Sequence, residues 1–141
     1  MTLEELCLQV ACARLPVAYC WAFDTRDTEA LVDLFSPDAT WQRPSGETLV
    51  GRAQIRASFE RPPPGPLRHI ASNVMVWPLG AQAAAGRSLA TVYRLVEREG
   101  ATPLLPAPLH VVEYSDRYLQ DTSGRWRIAQ RRTSKVMVQG P

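Results

Sequence analysis

Histidine is scarce in this chain of 141 residues, occurring only as His69 and His110, and cysteine is confined to Cys7, Cys12 and Cys20. The sequence lacks zinc-type Cys/His pairs, a P-loop, a GxGxxG turn and a GxSxG elbow. Metal, nucleotide and serine-hydrolase readings therefore lose their usual support. The cysteines have no partner outside the first helical pattern, so they read as reduced, buried small hydrophobes. No uninterrupted apolar run approaches the roughly 20 residues of a membrane span, and Met1-Thr-Leu-Glu-Glu5 is acidic where a signal peptide is basic. A cytoplasmic protein with no metal, no cofactor and no membrane partner is expected, its chemistry carried by side chains alone. Charge of one sign is also lacking, since the net charge is only +2. Arg125, Arg127, Arg131 and Arg132 do cluster, but on a strand such a group reads as a solvated face, and no nucleic-acid partner is expected.

What is present is an ordinary globular composition, 45% hydrophobic and 21% charged, on a chain of single-domain length. Thr2-Leu-Glu-Glu5 fits a capping box. Two apolar stripes follow it, Leu3, Leu6, Val10, Ala13, Val17, Cys20 and Leu8, Cys12, Leu15, Tyr19, Phe23, which predict a helix over Thr2–Phe23 that is apolar round much of its girth and buried against a sheet. Pro16 predicts a kink or break within it. A second helix is expected over Glu29–Phe35, capped by Asp27 or Thr28 and stopped by Ser36-Pro37-Asp38. Ala39–Arg43 and Thr48–Val50 suit a hairpin, and Gly51–Phe59 a third helix. Past the Pro62–Pro66 tract, strands are expected over Arg68–Trp77, Ala83–Arg98, Leu109–Leu119 and Arg125–Val138, with Pro103–Pro108 as a loop. Helices first and long strands after them give an α+β domain, one curved sheet wrapped over the first helix around a pocket.

Tyr19 and Asp24 put a phenol and a carboxylate beside a dense apolar surface, a setting in which proteins tune acids and bases. Residues five apart lie about 140° apart on a regular helix, so the two converge only where the helix frays by Asp24. His69 opens a strand after a Pro/Gly tract, and an imidazole suits proton transfer near neutral pH. His110 shares a face by alternation with Val112, Tyr114, Asp116 and Tyr118, but composition does not say which face is inward. In the last strand, Trp126 and Ile128 share a face with Gln130 and Arg132. If they point inward then so does Arg132, barring a bulge, and a buried guanidinium needs an anion.

The order Tyr19-x4-Asp24-x2-Asp27-x3-Leu31-x2-Leu34-Phe35-x2-Asp38-Ala39-x-Trp41, then Gly51-x3-Ile55-x3-Phe59, Arg68-His69, Asn73, Val76, Tyr114-x-Asp116-x-Tyr118 and Gly124-x-Trp126-x-Ile128 resembles the SnoaL-like branch of the NTF2-like superfamily over most of the chain. The resemblance implies an NTF2-like cone, a strongly curved antiparallel sheet with a helix-backed pocket, in a homodimer. Within the superfamily the chain is similar to the cofactor-free scytalone and bile-acid 7α-dehydratases. By that resemblance catalytic roles fall on Tyr19, Asp24, His69 and Arg132, and substrate-binding roles on Trp41, Phe59, Asn73, His110 and Tyr114. Those dehydratases also use a polar group from a middle strand. Here Ser88–Val96 offers neither acid nor histidine, which leaves His110 as the substitute. The expected function is a dehydratase or isomerase acting on a small hydrophobic, cyclic carbonyl compound of polyketide or steroid-like type. The alternatives are a non-catalytic ligand-binding or assembly subunit, as in the small chain of ring-hydroxylating oxygenases, and an adaptor like nuclear transport factor 2.

Overall fold

The computed structural model describes all residues from Met1 to Pro141. Helix α1 spans Leu3–Asp24. Its start is fixed by the capping box, in which Glu5 N–H donates to Thr2 Oγ1 (3.1 Å) and Thr2 N–H donates to Glu5 Oε2 (2.7 Å). The break expected at Pro16 does not occur, for the helix is continuous through it. The second apolar stripe is buried through Leu8, Cys12, Leu15 and Tyr19, joined by Ala22 and by Cys20 of the first, while Leu3, Leu6, Val10 and Val17 of the first face outward. By length and composition α1 could cross a membrane, contrary to the sequence expectation, but its buried face forms part of the protein core.

Helix α2, Thr28–Asp33, is capped by Asp27, whose Oδ1 accepts from Ala30 N–H at 3.0 Å. It ends two residues before the expected stop, because strand β1 already begins at Phe35 and runs to Gln42. The C-terminal strand causes this: Ile128 N–H takes the Leu34 carbonyl at 2.8 Å, and Arg127 binds the Asp33 carbonyl. Ser36-Pro37-Asp38 is therefore an irregular part of a strand, where the register with the C-terminal strand shifts between Phe35 and Thr40.

Strand β2 (Thr48–Val50) and helix α3 (Gly51–Glu60) follow, then β3 (Leu67–Gly80) and β4 (Ala83–Arg94). The expected strand to Arg98 stops at Arg94, and Val96–Arg98 (β5) pairs instead with Ala101–Leu104 (β6) as a separate hairpin. Strands β7 (His110–Gln120) and β8 (Trp126–Val138) complete the main sheet, in the order β2-β1-β8-β7-β4-β3. All its pairings are antiparallel except that of β1 with β8, which is parallel. The inner face of this sheet packs on α1 through a single core that includes Tyr19, Phe35, Trp41, Phe59, Val92, Tyr114, Tyr118 and Ile128. Gly86 is needed where Tyr118 crosses β4, since a Cβ there would stand 2.8 Å from Tyr118 Cε2.

Candidate active site

Asp24 is the last residue of α1, its helix closed rather than frayed by Thr25, whose hydroxyl and N–H both bond the Trp21 carbonyl. From that end the carboxylate reaches the start of β3 in two places. Oδ1 lies 2.7 Å from His69 Nδ1, and Oδ2 accepts the His69 backbone N–H at 2.8 Å. Both side chains are only 7% exposed. A carboxylate on Nδ1 makes that nitrogen the N–H and leaves Nε2 with its lone pair, the arrangement of a general base. Phe23 packs its ring edge-on to the imidazole at 4.7 Å and meets Phe59 at 5.3 Å. The Arg26 guanidinium lies 3.9 Å above the Phe59 ring and donates to the Phe59 carbonyl, closing this end of the core.

Tyr19 does not join Asp24. It points one helix face away, as the spacing requires in an unfrayed helix, and packs edge-on to Trp41 and Tyr114 at 5.8 and 5.6 Å. Phe23 lies between the two groups, 6.0 Å from Tyr19. The expectation that Tyr19, Asp24 and His69 would converge directly is therefore met for Asp24 and His69 alone.

Beside Tyr19 stands a buried guanidinium, and it belongs to Arg131, not Arg132. The β7–β8 register steps from Tyr118↔Ile128 to Arg117↔Gln130, so Ala129 is an extra residue in β8. That bulge inverts the alternation beyond it, turning Arg132 out to solvent and Arg131 in. Arg131 makes a bidentate pair with Asp116, both bonds 2.8 Å, and Asp116 also accepts from Tyr118 Oη at 3.0 Å. Its Cζ sits 4.0 Å from the Tyr114 ring and 4.4 Å from the Tyr19 ring. Burial works against the charge of Arg131, but the Asp116 carboxylate outweighs it and holds the guanidinium above its ordinary pKa. Burial likewise pushes the Tyr19 and Tyr114 phenols up, so they stay neutral. Two buried polar atoms remain without partners, Arg131 Nη1 and Ser88 Oγ. Ser88 is opposite Tyr114 in the β4–β7 ladder and Arg131 opposite Asp116 on β8, so both belong to the inner face.

The remaining expected site residues separate. His110 is on the inner face, in a row with His69 through the pairings His69↔Val92 and Val92↔His110, two strand spacings or about 9.5 Å across the sheet. Tyr114 lines the Arg131 cluster. Trp41 is a core residue, its Nε1 donating to Thr133 Oγ1 at 2.9 Å and its ring stacked on Phe35 at 5.8 Å. Asn73 lies apart from the dyad: it sits at positive φ (52°) where β3 bulges between Ser72 and Met75, and it is exposed beside Met75, Trp77, Arg87 and Glu113. Sequence reasoning missed Asp116, Arg131 and Ser88. The alternation of β7 carried the signal for Asp116, since it shares the face of Tyr114 and Tyr118.

The interior beside the dyad is packed with the Phe23 and Phe59 rings, and the larger hollows lie elsewhere. One, of about 990 Å3, is between the first turns of α1 and the β3–β4 and β7–β8 turns. Two others, of about 580 and 550 Å3, are on either side of Thr40, Leu79, Arg117 and Gln130.

Residues 4–132 match the model of the SnoaL-like domain family. Among solved structures the chain is similar to a protein of unknown function from Mycobacterium tuberculosis, at 26% identity and a TM-score of 0.73, with 89% of this chain and 74% of that one covered. It is also similar to a protein named as a candidate scytalone dehydratase from Novosphingobium aromaticivorans, at 20% identity and 0.77, covering 97% and 89%. A third is the hexachlorocyclohexane dehydrochlorinase LinA-type3 from Novosphingobium barchaimii, at 17% identity and 0.77, covering 99% and 98%. These last two likenesses, with that to an NTF2-like protein of cystatin-like fold, show the fold. No curated protein sequence matches the chain.

Proposed function

This chain belongs to the SnoaL-like domain family, and on that premise we propose that it is a cofactor-independent acid–base enzyme, a lyase or isomerase. Its substrate would be a small hydrophobic, cyclic carbonyl compound of polyketide or steroid-like type. The observation that carries the reading is the double grip of Asp24 on His69, which frees Nε2. In this reading His69 Nε2 removes the proton from the carbon next to the carbonyl, and Asp24 stabilises the imidazolium that forms. The orphaned Nη1 of Arg131 donates to the oxygen as its negative charge develops, with Ser88 Oγ as a second donor. The Phe23 ring stands between the two polar groups, and in this reading it turns aside to admit the substrate. The His69 imidazolium then gives its proton back, to a new carbon in an isomerisation or to the departing hydroxyl in a dehydration, and His110, in the row of His69, takes the role of the second polar group by hydrogen-bonding the leaving oxygen.

Two structural neighbours are named for elimination reactions, a dehydratase and a dehydrochlorinase, and both reactions begin with loss of a proton from carbon. The protein acts, in this proposal, as a homodimer in the cytoplasm. The test is proton exchange: cyclic ketones and β-hydroxyketones are incubated in D2O and followed by NMR. The wild type should label the carbon next to the carbonyl, with His69→Ala and Asp24→Asn at least about 100-fold slower. Exchange that survives both substitutions refutes the assignment.

A second reading, a binding or assembly subunit, is favoured by one feature. The outer face of β3 exposes Ile70, Met75, Trp77 and Leu79, and a protein of the same fold is named for an aromatic ring hydroxylase. Ligand-dependent stabilisation without any exchange would select this reading.

A further inference from the structure

The arginines grouped near the end of the sequence have different partners in the fold. Arg125 and Arg127 pair with Asp33, Arg127 also with Asp121, and Arg131 pairs inside with Asp116. Arg132 makes no ion pair, and the bulge at Ala129 turns it to the outer face of the sheet. Two more arginines meet it there. In the ladders Arg87 is opposite Ser115 on β7 and Ser115 is opposite Arg132 on β8, while Arg117 lies two residues along β7, between Ala85 and Gln130. Arg117 is therefore diagonal to Arg87 and to Arg132, about 7–8 Å from each. Arg87 and Arg132 are two strand spacings apart, about 9.5 Å. All three arginines and Ser115 line one hollow of about 550 Å3.

The charges in this hollow do not balance. Arg87 gives one nitrogen to Glu113 at 2.7 Å and is otherwise exposed. Asp116 borders the hollow, but its carboxylate is committed to Arg131 on the inner face. Asp38, in the adjoining hollow, makes no ion pair with Arg117. Three guanidiniums against the carboxylate of Glu113 leave two positive charges uncompensated, and like charges this close repel. The geometry also selects the anion. A carboxylate is planar and is satisfied by one guanidinium fork, whereas cations set round a point suit a tetrahedral group with three acceptor oxygens and a charge near −2, which is a phosphate monoester. Trp77 borders the same hollow, opposite Ala85 and so two strand spacings from Arg117, and it is 41% exposed. Its indole offers a flat face to a ring carried on that phosphate. The size of the hollow is that of a small-molecule site. We infer that the outer face of β4, β7 and β8 binds a small aromatic phosphate ester, its phosphate held by Arg87, Arg117 and Arg132 and its ring laid on Trp77. This is a second site, on the side of the sheet away from the Asp24–His69 dyad.

The experiment is isothermal titration calorimetry of the full chain with phenyl phosphate, in phosphate-free buffer at low salt. The wild type should bind it and benzoate should bind about tenfold more weakly. Arg117→Gln and Arg132→Gln should each lower the affinity for phenyl phosphate about tenfold, through loss of one charge-assisted contact. Trp77→Ala should bring phenyl phosphate down to the affinity of inorganic phosphate and leave inorganic phosphate itself unchanged. Arg14→Gln, an exposed arginine on α1, should bind as the wild type does. Wild-type affinity weaker than about 1 mM overturns the inference. So does equal weakening by Arg14→Gln, which would mean a general response to positive charge. A phosphotyrosine peptide that binds more than about tenfold tighter than phenyl phosphate overturns the small-molecule assignment and makes the face a protein-docking surface. The proton-exchange assay is run without the ester, so the acid–base proposal stands or falls separately.

Discussion

Asp24 fixes His69 through both the ring and the backbone, at 2.7 and 2.8 Å. The two bonds act on different parts of one residue, so the backbone of His69 is held where its ring meets the same carboxylate. Asp24→Asn keeps an acceptor for the backbone N–H but can no longer stabilise an imidazolium. The expected outcome is an intact fold with turnover down at least about 100-fold. Nitrogen-15 NMR should show His69 protonated at Nδ1 in the wild type, and that preference should be lost in the variant.

Arg131 and Arg132 are neighbours in sequence with opposite fates. Removing one partner of a buried pair leaves the other charged and uncompensated, so Arg131→Met should cost about 3–5 kcal/mol. Arg132→Ala, on the exposed side, should stay within about 0.5 kcal/mol of the wild type. Urea denaturation of the two variants is the check, and equal losses would mean that the bulge at Ala129 is misplaced.

The His110 imidazole is pulled below its ordinary value by burial first, then by Lys135, His69 and Arg94. As pH falls below about 6.5 the unfolded chain takes up this proton before the folded one does. His110 therefore contributes stability that is complete above that pH and declines as the pH falls toward the folded pKa. Below the folded value the loss is complete. Denaturation midpoints of His110→Gln and wild type, measured across this window, should converge at low pH, with the wild type showing the steeper decline.

Gly86 has a Cβ position 2.8 Å from Tyr118 Cε2 and 3.1 Å from the Met75 carbonyl. Backbone cannot yield as a flexible side chain would, so Gly86→Ala should cost about 1–3 kcal/mol through overpacking. It should also disturb the bond from Tyr118 Oη to Asp116, visible as a change in near-ultraviolet circular dichroism.

The parts of this molecule that local chemistry controls are legible in its sequence. The capping box at Thr2 starts α1, Asp27 caps α2, and alternation along β7 correctly places Val112, Tyr114, Asp116 and Tyr118 on one face. What period-two reasoning cannot see is an added residue, and the bulges at Ala129 and Asn73 leave Arg132 and Asn73 exposed where simple alternation turns them inward. Likewise Ser36-Pro37-Asp38 reads as a helix stop followed by a turn. Only the distant Arg127 and Ile128, which engage Asp33 and Leu34, make strand begin at Phe35. The Asp24–His69 contact joins residues 45 apart. It was legible as a pairing of residue types at element ends, while the distance that makes it a dyad is set by how α1 lies across β3.

The extra residue in β8 also bears on how such chains diverge. A register slip that absorbed Ala129 into the regular ladder would bring Arg132 to the inner face in place of Arg131, so the doublet keeps a guanidinium inside whether or not the strand bulges. Relatives with and without the bulge would thus present the same buried cation from different alignment columns. Tracing the arginine's ancestry in this family requires superposed strands in place of matched sequence positions.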